Sequence, residues 1–186
     1  MGKPTESLTA TDVAFIGRQK MFFVATSPSG DGGLLNLSPK GLDTFVVIDP
    51  NTVAYLDLAG SGIETVAHLR QNGRIILMLC AFEGAPNILR LWGEGDAVEP
   101  GDDDWDELRR RFPEMPGVRS IIRVNVGRVC NACGYAVPLY NHEGDRRTLL
   151  EWAEKKGPEG VEAYMYQNNR KSLDGLPGLR NLPSQS

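Results

Sequence analysis

Reactive side chains are scarce in this sequence: three cysteines and two histidines among 186 residues. Cys80, Cys130 and Cys133 form an odd set in a mid-sized chain, which argues against the disulfide framework of a small secreted domain. His68 and His142 lie far apart and share no ligand motif, so they do not define a metal site. Cys130-Asn131-Ala132-Cys133 has the spacing of a redox pair. No second pair completes a zinc site around it, and no strand–helix unit frames it as a thioredoxin-like motif. No Ser/His/Asp or Cys/His triad can be assembled. Long apolar runs are missing as well: nothing approaches the roughly 18–20 residues of a membrane helix. Met1 to Thr11 is polar and lacks a signal-peptide core. There is no basic excess either. Twenty Lys and Arg stand against 24 Asp and Glu, a net charge of −4, which speaks against general nucleic-acid binding because phosphate neutralisation needs a basic surface. The expectation is a soluble, cytoplasmic protein with no membrane or nucleic-acid partner, one domain over residues 1–186 large enough to bury its own core.

What the sequence does contain is a series of short β-type runs punctuated by turns. A helix is expected over 12–20, capped by Thr11 or Asp12. Met21 to Thr26 and Leu34 to Leu37 read as a hairpin across a Gly- and Ser-rich turn, with Ser38-Pro39-Lys40-Gly41 interrupting the second strand. Thr44 to Ile48 and Val53 to Leu58 follow around Asp49-Pro50-Asn51. A helix is expected over 63–71, ended by Asn72-Gly73. Arg74 to Cys80 is nearly all apolar and reads as a central strand. Ile88 to Val98 follows, with Gly93 and Gly95 marking a bend or bulge. Asp102 to Phe112 starts acidic and ends basic, as a dipole-matched helix does. Ser120 to Val129 is the last strand. Beyond Pro138 two helices are expected, over 146–156 and 159–170, joined at Gly157-Pro158, and then an irregular tail from Ser172 to Ser186. Six or seven strands followed by helices give a mainly β, α+β architecture. Residues 12–138 would form its barrel core and 139–186 a helical C-terminal extension.

Two segments carry the chemistry of anion binding. Asn36-Leu37-Ser38-Pro39-Lys40-Gly41 offers a hydroxyl at Ser38, a mobile positive charge at Lys40 and an unobstructed amide at Gly41. Its plain alternative is an ordinary turn with an exposed Lys. Asp57-Leu58-Ala59-Gly60-Ser61-Gly62 leads from a strand through a Gly-rich turn to a helix N-terminus, where free amides and the positive dipole end favour an anion. Ser61 and Thr65 would add hydroxyls. The plain alternative there is a helix merely capped by Ser61. The segment is not a P-loop, since it lacks the Gly-Lys-Ser/Thr ending, and its spacing does not fit a dinucleotide fingerprint. Together the two segments would serve one phosphate.

These stretches, with QKMFFVATS, LNLSPKG, YLDLAGSGIETVAHLRQNGRIILMLCAFEG, ILRLWGEG, CGYAVP and WAEKKG…SLDGLPG, cover about residues 15–179 in order. The chain resembles the pyridoxamine 5'-phosphate oxidase-like, FMN-binding split-barrel superfamily, in a branch apart from the classical oxidase. The resemblance implies a six-stranded split β-barrel with flanking helices. It also implies a homodimer holding FMN at its interface and an oxidoreductase acting on a small molecule whose identity is unknown. It assigns Lys40 to the phosphate and runs Cys80-Ala81-Phe82-Glu83 past the edge of the flavin ring. Arg90, inside an apolar strand, is a candidate for a flavin or substrate anion. Tyr135 and Trp152 fall in matching stretches and are candidates to border the flavin across the dimer. Two departures stand out. Where such proteins usually carry an Arg-Lys pair, this chain has Glu64-Thr65. The C-terminal Arg- and His-bearing substrate segment of the classical oxidase is replaced by Ser172 to Gly178. The remaining readings are a flavin carrier or sensor without catalysis, and a split barrel using a deazaflavin coenzyme or haem.

Overall fold

A computed structural model describes residues 2–182. Helix α1 (Ala10–Ile16) starts two residues earlier than expected, because Thr9 rather than Thr11 or Asp12 caps it. Thr9 Oγ1 accepts the Asp12 amide at 3.2 Å, and the Asp12 carboxylate accepts the Thr9 amide at 2.9 Å, a reciprocal capping box. Asn131 Nδ2 also donates to Asp12 at 2.9 Å. Burial pushes the Asp12 carboxyl up, but the hydrogen bonds from Thr9 and Asn131 outweigh it and hold the group below its ordinary value.

Seven strands form one antiparallel sheet: β1 (Phe22–Thr26), β2 (Asn36–Lys40), β3 (Phe45–Asp49), β4 (Thr52–Leu58), β5 (Arg74–Cys80), β6 (Ile88–Val98) and β7 (Val118–Ala132). Their spatial order is β2-β1-β5-β6-β7-β4-β3. This corrects the six-stranded barrel. There are seven strands, and the sheet does not close, because the edge strands β2 and β3 are not paired with each other. The Ser38-Pro39-Lys40 stretch, read as an interruption, is part of β2, with Pro39 opposite Phe23 and Lys40 opposite Phe22. An edge strand tolerates a proline because one side of its ladder needs no donor. The β6 bulge falls where expected: the register shifts between Trp92 and Gly93, and a Cβ at Gly93 would run into the Asn125 carbonyl oxygen.

Alternation decides which face is buried. Phe22 and Val24 in β1, Leu77 and Leu79 in β5, Leu89 and Leu91 in β6 and Ile122 and Val124 in β7 point into the main core with α1 and α2 (Glu64–Asn72). Each such side chain contributes about 1.5–3 kcal/mol of transfer free energy. Gly73 ends α2 in the left-handed region at φ 69°, a conformation that favours glycine. A second cluster packs Ala54, Leu56, Val98 and Ile121 against Leu108 and Phe112, under α3 (Trp105–Arg109), which is shorter than the 102–112 helix expected. On the far face of β2, β1, β5 and β6, the side chains of Leu37, Phe23, Met78 and Trp92 are partly or largely exposed.

Helix α4 (Thr148–Asn168) breaks at Gly157, where φ is 68° and ψ is 168°, just before Pro158. Its two halves match the two helices expected. They pack Ala153 and Val161 against Ala59, and Asn169 Nδ2 donates to the Gly60 carbonyl at 2.8 Å. The end of α4 is thereby fastened to the Gly-rich turn after β4. The tail folds back and is held by the buried Glu99, whose Oε2 accepts the amides of Arg180 and Asn181, each at 2.8 Å. The last four residues of the expected irregular tail, 183–186, lie outside the described residues.

Candidate functional site

Asp57 is the one charged residue of strand β4, and it is completely buried. A buried carboxylate requires partners, and the β4–β7 register supplies them by placing Asp57 opposite Ser120 and beside Arg119. Arg119 Nε donates to Asp57 Oδ2 at 2.7 Å, Ser120 Oγ donates to the same oxygen at 3.2 Å, and Lys40 Nζ reaches Oδ1 from the edge strand at 3.0 Å. Burial alone would raise the Asp57 carboxyl. The two cations and their hydrogen bonds override it, and the group stays ionised well below the usual carboxylate range. Two cations around one carboxylate leave this cluster with a net charge of +1 before the Glu64 carboxylate, which lines the same cavity, is counted.

That charge faces a cavity of about 270 Å³. Ser38, Lys40 and Gly41 from β2 and its end form one wall, the Gly60–Gly62 turn and Thr65 form another, and Arg119 closes the back. The hydroxyls are set by a polar chain. Asn36 Nδ2 donates to Thr65 Oγ1 at 2.9 Å and to Thr26 Oγ1 at 3.1 Å, while Ser38 Oγ donates to Asn36 Oδ1 at 3.0 Å. Thr26 Oγ1 lies 3.0 Å from Nδ1 of the fully buried His68, whose basicity burial lowers. No side chain caps α2, whose N-cap is Ile63. Its first amides therefore lack a side-chain acceptor, as an anion site at a helix start requires. Glu64 is also in the wall, but its Oε1 accepts the Leu173 amide at 3.2 Å, which ties this carboxylate to the tail.

A larger cavity of about 850 Å³ shares Pro39, Lys40, Gly41, Leu42 and Leu149 with the first. Ala81 and Phe82 line it at the end of β5, and Phe15 and Met21 add apolar surface. Tyr140 stacks on Phe82 with ring centroids 5.6 Å apart, and the Tyr140 amide donates to the Phe82 carbonyl at 2.9 Å.

Of the residues singled out in the sequence, Ser38, Lys40, Gly41 and Thr65 converge on the smaller cavity, and Ala81 borders the larger one. Ser61, Cys80 and Arg90 line neither. Ser61 is exposed and does not cap α2. Arg90 is half-buried between Met78 and Cys130 in the sheet. Cys80 is buried, and burial raises its thiol despite the nearby Arg90, so it stays protonated. Cys130 is buried and Cys133 exposed, both as free thiols. Tyr135 is exposed, and Trp152 packs edge-on to Tyr164 with ring centroids 4.8 Å apart, away from both cavities. Sequence reasoning missed Arg119 and the partner role of Asp57. The available signal was a lone carboxylate inside the apolar run Tyr55-Leu56-Asp57-Leu58.

No family model matches the chain. A pyridoxamine 5'-phosphate oxidase family protein of Aspergillus flavus, ustO, is 38% identical over 181 residues, covering 88% of this chain and 72% of that protein. Among solved structures, HupZ of Group A Streptococcus aligns with a TM-score of 0.52 at 19% identity over 73% of this chain and 99% of its own. A proposed pyridoxamine 5'-phosphate oxidase of Lactobacillus delbrueckii aligns with a TM-score of 0.52 at 20% identity over 68% and 95%. These two structures share the fold. The relationship in sequence goes further, and on it the chain belongs to the pyridoxamine 5'-phosphate oxidase family.

Proposed function

We propose that this protein binds FMN and uses it as an oxidoreductase, with the phosphate in the smaller cavity and the ring in the larger one. The observation that carries the reading is the continuity of the two spaces. A cradle of hydroxyls, open helix amides and two cations, Lys40 and Arg119, leads directly into an apolar-walled cavity. Ser38, Lys40, Gly41 and Thr65 would hold the phosphate, with Arg119 setting the charge behind them. Arg119 and Lys40 would thus stand in for the Arg-Lys pair that Glu64-Thr65 replaces. Ala81 and Phe82 would run along the ring. When bound, FMN supplies hydride or electron transfer, while the protein binds, orients and tunes it. Room beside the ring in an 850 Å³ cavity favours an enzyme over a sealed carrier. A deazaflavin coenzyme would draw on the same cradle. A haem in the larger cavity would have His142 as its axial candidate, and that ring is already engaged by Asp145 at 3.1 Å.

The exposed far face of β2, β1, β5 and β6, bearing Leu37, Phe23, Met78 and Trp92, suits a second copy of the chain. A homodimer is the proposed form, and a monomeric mass by light scattering at micromolar concentration would count against it. Three free thiols suit a reducing cytosol. The cradle is tested by titrating FMN and riboflavin, which differ by the phosphate alone. FMN is expected to bind at least about tenfold tighter, the worth of one charge-assisted contact. Equal affinities would remove the phosphate from the smaller cavity.

A further inference from the structure

The larger cavity has a charge pattern that FMN does not use. Arg18 at the end of α1, Lys20 just after it and Arg146 ahead of α4 all line it. Among the described residues none of the three forms an ion pair. The two carboxylates in the same wall are both occupied by one residue. Glu83 Oε1 accepts the His142 amide at 2.9 Å, and Asp145 Oδ1 lies 3.1 Å from His142 Nε2. Lys40, the remaining cation, belongs to Asp57. The wall therefore holds three cations outside ion pairs against two carboxylates that no Lys or Arg pairs, an excess of positive charge in a chain whose net charge is −4. A cleft with an excess of one sign and apolar walls concentrates ligands of the other sign. Beside the cations stands a flat surface, the stacked Phe82–Tyr140 pair, held by the Tyr140 amide on the Phe82 carbonyl.

We infer that this cavity seats a second molecule, an organic anion with a flat apolar body. Its charged group meets Arg18, Lys20 and Arg146, and its body lies along Phe82 and Tyr140. Arginine favours this arrangement because its planar fork pairs with a carboxylate through two parallel hydrogen bonds. The inference rests on the flavin reading of the adjoining cradle, which makes the anion the substrate beside the ring.

The test uses the full chain, stripped of flavin and saturated with FMN in parallel, titrated calorimetrically with 2-naphthoate and 2-naphthamide. The probes share a shape and differ in charge. Naphthoate is expected to bind at least about tenfold tighter, with a preference that shrinks in high salt. Arg18→Gln with Lys20→Gln and Arg146→Gln should abolish the preference, while Lys155→Gln, on the exposed side of α4, should preserve it. Equal affinity for the two probes, or a preference that survives the Arg18/Lys20/Arg146 substitutions, would overturn the inference. The two readings fail separately. FMN binding without charge preference sinks the anion seat alone. Charge preference without FMN binding sinks the flavin reading and leaves the anion seat standing.

Discussion

Asp57 and Glu99 are the two most deeply buried carboxylates among the described residues, and their surroundings differ in kind. Asp57 is 0% exposed and Glu99 1% exposed. Asp57 is held by side chains: Arg119, Lys40 and Ser120. Glu99 is held by Arg70 and by two backbone amides of the tail, those of Arg180 and Asn181. The first cluster contains two cations for one anion, and both cations border a cavity. The second pairs one with one and closes over the returning chain. Burial alone thus does not distinguish a carboxylate that fastens the chain from one beside a candidate binding site. The excess charge does, together with where it points.

The largest effect is expected where the comparison is broken at Arg119. Arg119→Leu leaves Asp57 with Lys40 and Ser120, and urea unfolding should show a loss of about 3–5 kcal/mol, the range for removing one partner of a buried ion pair. Next comes ligand affinity. Lys40→Ala with Thr65→Ala should weaken FMN by about 2–4 kcal/mol, since one charged and one neutral contact are removed. Glu99→Gln sharpens the contrast. It should cost about 1–2 kcal/mol of stability and speed hydrogen exchange at the Arg180 and Asn181 amides, while FMN affinity stays unchanged. If Glu99→Gln weakened FMN as strongly as Lys40→Ala with Thr65→Ala, the division between the two clusters would be wrong.

The smallest effects are in pH dependence. Asp57 has a folded carboxyl below its ordinary 3.8, so its stabilisation is complete above that value and is lost as pH falls below it. Asp57→Asn should therefore flatten the acid limb of a stability–pH curve under pH 3.8. His68, kept neutral by burial, titrates below its ordinary 6.5. Its unfolded form gains a proton first, so stability falls as pH drops below 6.5, and His68→Gln should reduce that slope.

Much of the sheet was legible because its strands are runs of β-branched and aromatic residues bounded by Gly, Pro and Asn, as in Phe22–Thr26 and Arg74–Cys80. The kink at Gly157-Pro158 and the bulge at Gly93 were legible for the same local reason. The β2 edge was not, because a proline reads as a break unless its place at the margin of the sheet is known. The cap of α1 was misplaced by choosing Thr11 or Asp12 over Thr9, although Asp12 three residues after Thr9 completes a capping box. Within the candidate site, Ser38, Lys40, Gly41 and Thr65 were legible because a local pattern of hydroxyl, cation and glycine marked two segments that line one cavity. Arg119 was missed because its link to Asp57 spans 62 residues and exists only through the β4–β7 register. Ser61 and Arg90 have the right chemistry but point elsewhere, which spacing alone does not reveal.

The most direct test of the account is the visible absorption spectrum of the freshly purified protein, followed by the mass of whatever heat releases. The account predicts a yellow protein with flavin bands that gives up FMN. A colourless protein that leaves the fluorescence of added FMN unquenched would contradict it.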